Sequence, residues 1–186
     1  MQKPCLKKMM ILILILGFSI SGLTQNEKNI DKTFDSKDEI RLKLVLGECS
    51  IEKSSDNRIH VNLVYWYEDD IFEPIFREQG TRLYLEEDFH SDRDAGDGYS
   101  RWTLQVPDDI EIEFKSATGD LEVKDIKTEL EGKSGTGNME LLKVTGEFEV
   151  KSGTGSITLQ NSKGEFELSS GTGNIRIHDS QARFDV

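Results

Sequence analysis

The sequence predicts an all-β chain built as a single-stranded parallel β-helix, or solenoid, with an 18-residue coil. Three observations carry this. Ser-Gly-Thr-Gly recurs at Ser134–Gly137, Ser152–Gly155 and Ser170–Gly173, preceded by the altered copy Ser116-Ala117-Thr118-Gly119, always at a spacing of 18. A fixed period of this size marks one supersecondary unit stacked on the next. Within each copy apolar residues recur two apart, the period of a half-buried strand, and no column keeps helical spacing. Glycine is invariant at Gly119, Gly137, Gly155 and Gly173, as expected of corners that need positive φ.

The elements follow in chain order. Lys3, Lys7 and Lys8 precede an apolar run from Met9, and Ser21-Gly22-Leu23-Thr24 offers small residues for cleavage before Gln25. Residues 1–24 therefore read as a secretory signal peptide. The run to Leu23 is 15 residues, short of the ~20 that span a bilayer, so no stable membrane insertion is expected after cleavage. Cys5 precedes the run and cannot be a lipoprotein cysteine. Residues 25–106 read as an irregular β part, with alternation at Ile40–Leu44, Ile59–Tyr65, Leu83–Leu85 and Trp102–Val106 and two long loops, Glu68–Gly80 and Glu86–Ser100.

Residues 107–186 read as regular coils of strand, corner, strand, corner. One strand points Leu121, Met139, Ile157 and Ile175 inward, followed by Val123, Leu141, Leu159 and Ile177. The next strand points Leu130, Phe148, Phe166 and Phe184 inward, followed by Gly132, Val150, Leu168 and Val186. Ser116, Ser134, Ser152 and Ser170, with the Thr column at 118, 136, 154 and 172, are expected to hydrogen-bond backbone groups at the turns. Identical side chains at one period imply parallel, in-register stacking. The chain stops at Asp185-Val186 without a divergent cap, so the expectation is either truncation or an end-to-end assembly surface on the last coil.

Val106-Pro107, an alternating strand, then repeated Ser-Gly-x-Gly-(Asp/Asn)-(Ile/Leu)-x-(Ile/Leu/Val), resembles the bacterial putative-adhesin family of unknown function. The resemblance spans about residues 30–186, departing at Ala117. It implies a right-handed β-helix like the heads of auto-transporter adhesins. Its motif is structural, and it implies no active site.

Charge narrows the partners. The chain carries −12, and loss of residues 1–24 leaves 20 Lys and Arg against 35 Asp and Glu, a net −15. Such a chain repels phosphate backbones, which argues against nucleic acid. Cys49 alone remains after cleavage, so an intramolecular disulfide is excluded; alternation puts it inward beside Ile51 as a small hydrophobe. The toxin-type calcium nonapeptide is rejected because apolar residues fill the ligand position at 121, 139, 157 and 175. Asp92-Arg-Asp94-Ala-Gly-Asp97-Gly98 starts like an EF-hand but has Gly in place of the third acid.

Two acidic columns stand out, Glu111-Glu129-Glu147-Glu165 and Glu113-Glu131-Glu149-Glu167-Asp185, beside Lys115, Lys133 and Lys151. Stacked like charges are destabilising. The column Glu131, Glu149, Glu167 and Asp185 is thus a candidate weak cation stripe, with no resident metal or cofactor expected. Trp66, outward between Tyr65 and Tyr67, is a candidate glycan platform. His60, His90 and His178 lack metal-ligand spacing, and no nucleophile elbow is present. The expected function is a non-catalytic, exported, adhesin-like scaffold in the periplasm, at the outer surface or outside the cell, binding cell-surface glycans or envelope proteins. A cell-envelope stress-response accessory protein is the alternative, and a β-helix polysaccharide lyase a remote one, since an 18-residue coil leaves little chain for groove-building loops.

Overall fold

The structure, a computed structural model, describes residues 27–68, 70–90 and 98–185; of Ala182, Phe184 and Asp185 only the backbone is described. The expected signal peptide, Cys5, Asp92, Asp94, Asp97 and Val186 lie outside the described residues. Sixteen strands and no helix form among the described residues.

The first seven strands are β1 (Lys28–Asp35), β2 (Glu39–Leu44), β3 (Glu48–Lys53), β4 (Arg58–Trp66), β5 (Phe72–Gln79), β6 (Arg82–Phe89) and β7 (Tyr99–Val106). The repeat region supplies β8 (Glu111–Thr118), β9 (Leu121–Lys124), β10 (Lys127–Thr136), β11 (Met139–Leu142), β12 (Thr145–Thr154), β13 (Ile157–Gln160), β14 (Lys163–Thr172), β15 (Ile175–His178) and β16 (Gln181–Asp185). They form two eight-stranded sheets, ordered β1-β4-β7-β3-β9-β11-β13-β15 and β16-β14-β12-β10-β8-β2-β6-β5. Each repeat gives a long strand to the second sheet and a short strand to the first. Successive copies pair parallel with the 18-residue register: Leu130 with Phe148, Phe148 with Phe166, Met139 with Ile157, Ile157 with Ile175.

Alternation then decides what is buried. Leu121, Val123, Leu130, Met139, Leu141, Phe148, Val150, Ile157, Leu159, Phe166 and Leu168 line one core between the sheets. The Phe148 and Phe166 rings stack with centroids 5.2 Å apart and planes 14° from parallel. Cys49 is buried among them, and burial pushes its thiol up, with the Glu87 charge adding to this.

Two kinds of corner join the strands of each repeat, and only one was legible. At the Gly119, Gly137, Gly155 and Gly173 corner, φ is +158°, +150° and +150° at Gly119, Gly155 and Gly173. What all four share is crowding: a Cβ would lie 2.1–2.2 Å from the carbonyl oxygen of Gly47, Gly119, Gly137 and Gly155 respectively. The Ser134, Ser152 and Ser170 hydroxyls donate to the carbonyls of Gly119, Gly137 and Gly155 at 3.3, 2.9 and 2.8 Å, while the Thr column faces solvent. The opposite corner holds Asp125, Lys143, Asn161 and Asp179 at φ 54°, 54°, 53° and 48°. That left-handed turn aims the amides of Asp125, Lys143 and Asn161 at the carbonyls of Leu142, Gln160 and His178, 2.8–3.0 Å away in the next repeat.

The first half corrects the expectation of a wholly parallel architecture. β1 with β4, β4 with β7, and β5 with β6 pair antiparallel, so both sheets are mixed. Only Gly80 and Thr81 separate β5 from β6, too few for a parallel crossover. The expected loop Glu68–Gly80 is largely strand β5. Pro74 obscured it in the sequence; β5 is an edge strand, where a missing amide is tolerated.

Candidate functional site

Three clusters hold the polar chemistry: an acid face, an aromatic face and a buried carboxylate. The outward residues of β8, β10, β12 and β14 stack into straight rows because the register is exact to the residue type. Glu111, Glu129, Glu147 and Glu165 form one row, flanked by Glu39 on one side and Arg183 on the other. Glu113, Glu131, Glu149, Glu167 and Asp185 form the next, and Lys115, Lys133 and Lys151 a third. A groove of ≈ 680 Å³ runs along the two glutamate rows.

The lysines serve only one of those rows. Lys115 bonds Glu113, Lys133 bonds Glu131, and Lys151 sits 2.8 Å from both Glu149 and Glu167. The Lys133 hydrogen bond holds the Glu131 carboxyl below its usual range, against a smaller opposing effect of burial. Glu149 and Glu167 push Lys151 up. The expected cation stripe of Glu131, Glu149 and Glu167 is therefore occupied by lysine, and the open carboxylates are Glu111, Glu129 and Glu147, which have no cationic partner among the described residues. Of Asp185 the structure gives only the register opposite Glu167. Among the described residues no group of three His, Cys, Asp or Glu side chains is arranged to hold a metal ion.

At the end of this row a charge is buried. Glu39 is 7% exposed and accepts from Arg41 and Arg82. Burial works to raise its pKa, and the two guanidinium hydrogen bonds overcome it, holding the carboxyl below its usual range.

The outer face of the first sheet is different. Trp66 is half-buried and points outward from β4, opposite the exposed Tyr99 of β7. Its neighbours Tyr65 and Tyr67 turn inward, where they meet Phe72 and Phe89 with ring centroids 4.8–5.2 Å apart. Trp66 is thus brought beside a second aromatic that the sequence left in a loop.

The fold is shared with a putative cell adhesion protein. That protein, from Clostridium sporogenes, superposes with a TM-score of 0.53, covering 82% of this chain and 99% of its own at 13% identity. Likeness at this identity is one of fold. A putative adhesin from Bacteroides fragilis covers 87% of this chain and 97% of its own, at 12% identity and a TM-score of 0.42. No protein-family profile matches the sequence, and no curated protein matches it.

The sequence reading missed Glu87. Its carboxylate is 5% exposed between the sheets. Oε2 accepts from the Val45 and Leu46 amides at 2.7 and 3.1 Å, and Oε1 from Trp102 Nε1 at 2.9 Å and from the Ser100 hydroxyl. With four donors satisfied it is a structural latch. The pattern Leu83-x-Leu85-x-Glu87 already pointed it inward. The three histidines stay apart: His60 bonds Asp56 and Thr33, His90 bonds Glu73, and His178 is exposed on β15.

Proposed function

We propose that this protein is an exported, non-catalytic, adhesin-like β-solenoid that works as a binding scaffold in the periplasm or at the cell surface. The observation that carries the reading is the in-register parallel pairing of the 18-residue copies, which lays side chains out in long flat rows. Rows of that kind suit contact with an extended partner, whereas catalysis needs converging groups in a water-excluded site. The buried polar clusters, Glu39 and Glu87, are saturated by their own neighbours. The name of the Clostridium sporogenes neighbour agrees with an adhesive role. No helix among the described residues is long and apolar enough to cross a membrane.

The test is fractionation of a bacterium expressing the full chain, followed by cell-binding and crosslinking assays on the exported product. The reading expects a processed, exported protein that binds cells or envelope components. Retention in the cytoplasm, or cleavage of a polysaccharide by the purified protein, would overturn it.

A further inference from the structure

We propose that Trp66 and Tyr99, with Asn29, Asp31, Asn62 and Arg101 beside them, form a platform for an uncharged oligosaccharide on the outer face of β1, β4 and β7. The proposal rests on the adhesive reading and names the chemistry of its partner.

Neither ring belongs to the aromatic cluster of the core. Trp66 and Tyr99 are register partners on the outer face of adjacent antiparallel strands, Trp66 half-buried and Tyr99 37% exposed. The aromatic cluster beneath is complete without them, and Trp102, the other tryptophan, is 0% exposed. The Tyr99 hydroxyl donates to Glu27 across the width of β4, which holds the ring over the end of that strand. Exposed aromatic faces stack on the C–H face of a sugar ring, burying apolar area at little entropic cost because each side chain has only two torsions.

Hydrogen-bonding groups follow along the same face. Val64 lies opposite Asn29 and Arg101, and Asn62 lies opposite Asp31 and Thr103. At ~3.3 Å per residue these pairs sit about 7 and 13 Å from the aromatic pair, long enough for a short oligosaccharide. Asn62 Nδ2 donates to Asn29 Oδ1 at 2.7 Å and Asp31 Oδ1 at 2.6 Å. That leaves the Asn62 carbonyl and the Asn29 amide for ligand hydroxyls.

Charge selects the class of glycan. Asp31 is held by Asn62, Glu48 by Arg101 at 3.3 Å, Asp35 by Arg58 at 3.6 Å and Glu27 by Tyr99. Each of these carboxylates is hydrogen-bonded or paired, Asp31 and Glu27 by neutral groups that leave their charge in place, unlike the open Glu111, Glu129 and Glu147 row on the other sheet. A polyanion would find acids and already-engaged arginines there, and would also approach a chain of net −12; a neutral glycan meets neither cost.

The probes are mannohexaose, xylohexaose and cellohexaose, with hexagalacturonate as the charged comparison, titrated into the full exported protein. Because Trp102 is buried, a change in tryptophan emission reports Trp66. At least one neutral hexasaccharide should bind. Trp66→Ala, read by calorimetry, and Tyr99→Ala should each weaken it about tenfold or more, with Trp66→Phe retaining part and Glu147→Gln none of the loss. Unchanged melting curves would establish that the variants fold. Absence of binding by all three neutral sugars, preference for hexagalacturonate, or binding indifferent to both alanine variants would overturn the proposal. Cell adherence by a protein that binds none of the neutral sugars would overturn the platform and leave the adhesive reading standing; sugar binding without adherence would support the platform and count against that reading.

Discussion

Replacing Glu87 by glutamine tests whether the latch between the sheets is held by charge. The side chain leaves β6 in one sheet and reaches Ser100 and Trp102 on β7 in the other, as well as the Val45 and Leu46 amides. All four partners are donors, so an ionised carboxylate satisfies them all. Glutamine is isosteric but carries an NH₂ group; turned toward the Val45 and Leu46 amides it faces two donors, and turned the other way it orphans the Trp102 indole N–H while the Ser100 hydroxyl rotates to accept. Each orphaned buried donor costs about 1–3 kcal/mol. Room to relax is small, since even a Cβ on Gly47 would lie 2.4 Å from the carboxylate. The expected loss is thus about 1–3 kcal/mol, a sizeable part of the ~5–15 kcal/mol that stabilises a typical domain. Urea unfolding followed by far-ultraviolet dichroism measures it. Trp102→Phe removes one donor and leaves a smaller aromatic ring, a cavity cost present in both the single and the double variant, so the double variant should lose less than the sum of the singles. A loss below about 1 kcal/mol for Glu87→Gln, or strict additivity, would refute the latch.

The remaining predictions concern the coils and their ends. Phe166→Ala, emptying a 2% exposed site stacked on Phe148, should cost about 3–5 kcal/mol in the same assay; a loss under about 1 kcal/mol would mean the phenylalanine column is not core. Lys143 at φ 54° pays for a left-handed turn that Asn161 adopts more easily in the same column, so Lys143→Asn should stabilise by about 0.5–1 kcal/mol and Lys143→Val should destabilise. The exposed Lys143–Asp125 pair at 3.5 Å is too solvated to reverse that sign. Glu39 has a folded pKa below its ordinary 4.5. Its contribution is therefore present above that value and lost as pH falls through the lower folded value, and Glu39→Gln should flatten the acid limb of a stability-against-pH curve. Glu147→Gln, relieving the unpaired glutamate row, should raise the melting temperature at low salt, with the gain shrinking in about 0.5 M NaCl, where the screening length falls to about 4 Å; a gain independent of salt would mean the row is not under repulsion.

The period of the repeat, and with it the inward columns, was legible from residues 116–186 alone. Each 18-residue copy pairs with the adjacent copies, so one local pattern specifies strand, corner and register at once, and Phe148 lies over Phe166 for the reason the 18-residue spacing gives. Serine under the glycine corner was equally readable at Ser134, Ser152 and Ser170, whose partner is the equivalent turn one repeat back, whereas the Ser116 hydroxyl is buried without a hydrogen-bond partner. The tertiary structure alone decided what depends on residues without a shared period. The hairpin of β5 and β6, hidden by Pro74, and the antiparallel run β1-β4-β7 depend on pairings between distant segments. The left-handed corner hid because Asp125, Lys143, Asn161 and Asp179 share a backbone angle and no side-chain type. Lysine rows two residues from glutamate rows were visible as columns, but which glutamates the lysines reach depends on side-chain direction across the sheet. Tyr99 became the partner of Trp66, and Glu87 the partner of Trp102, only when the chain folded back. Sequence periodicity reports what each strand buries; which polar and aromatic side chains then meet is set by the contacts between strands far apart in the chain.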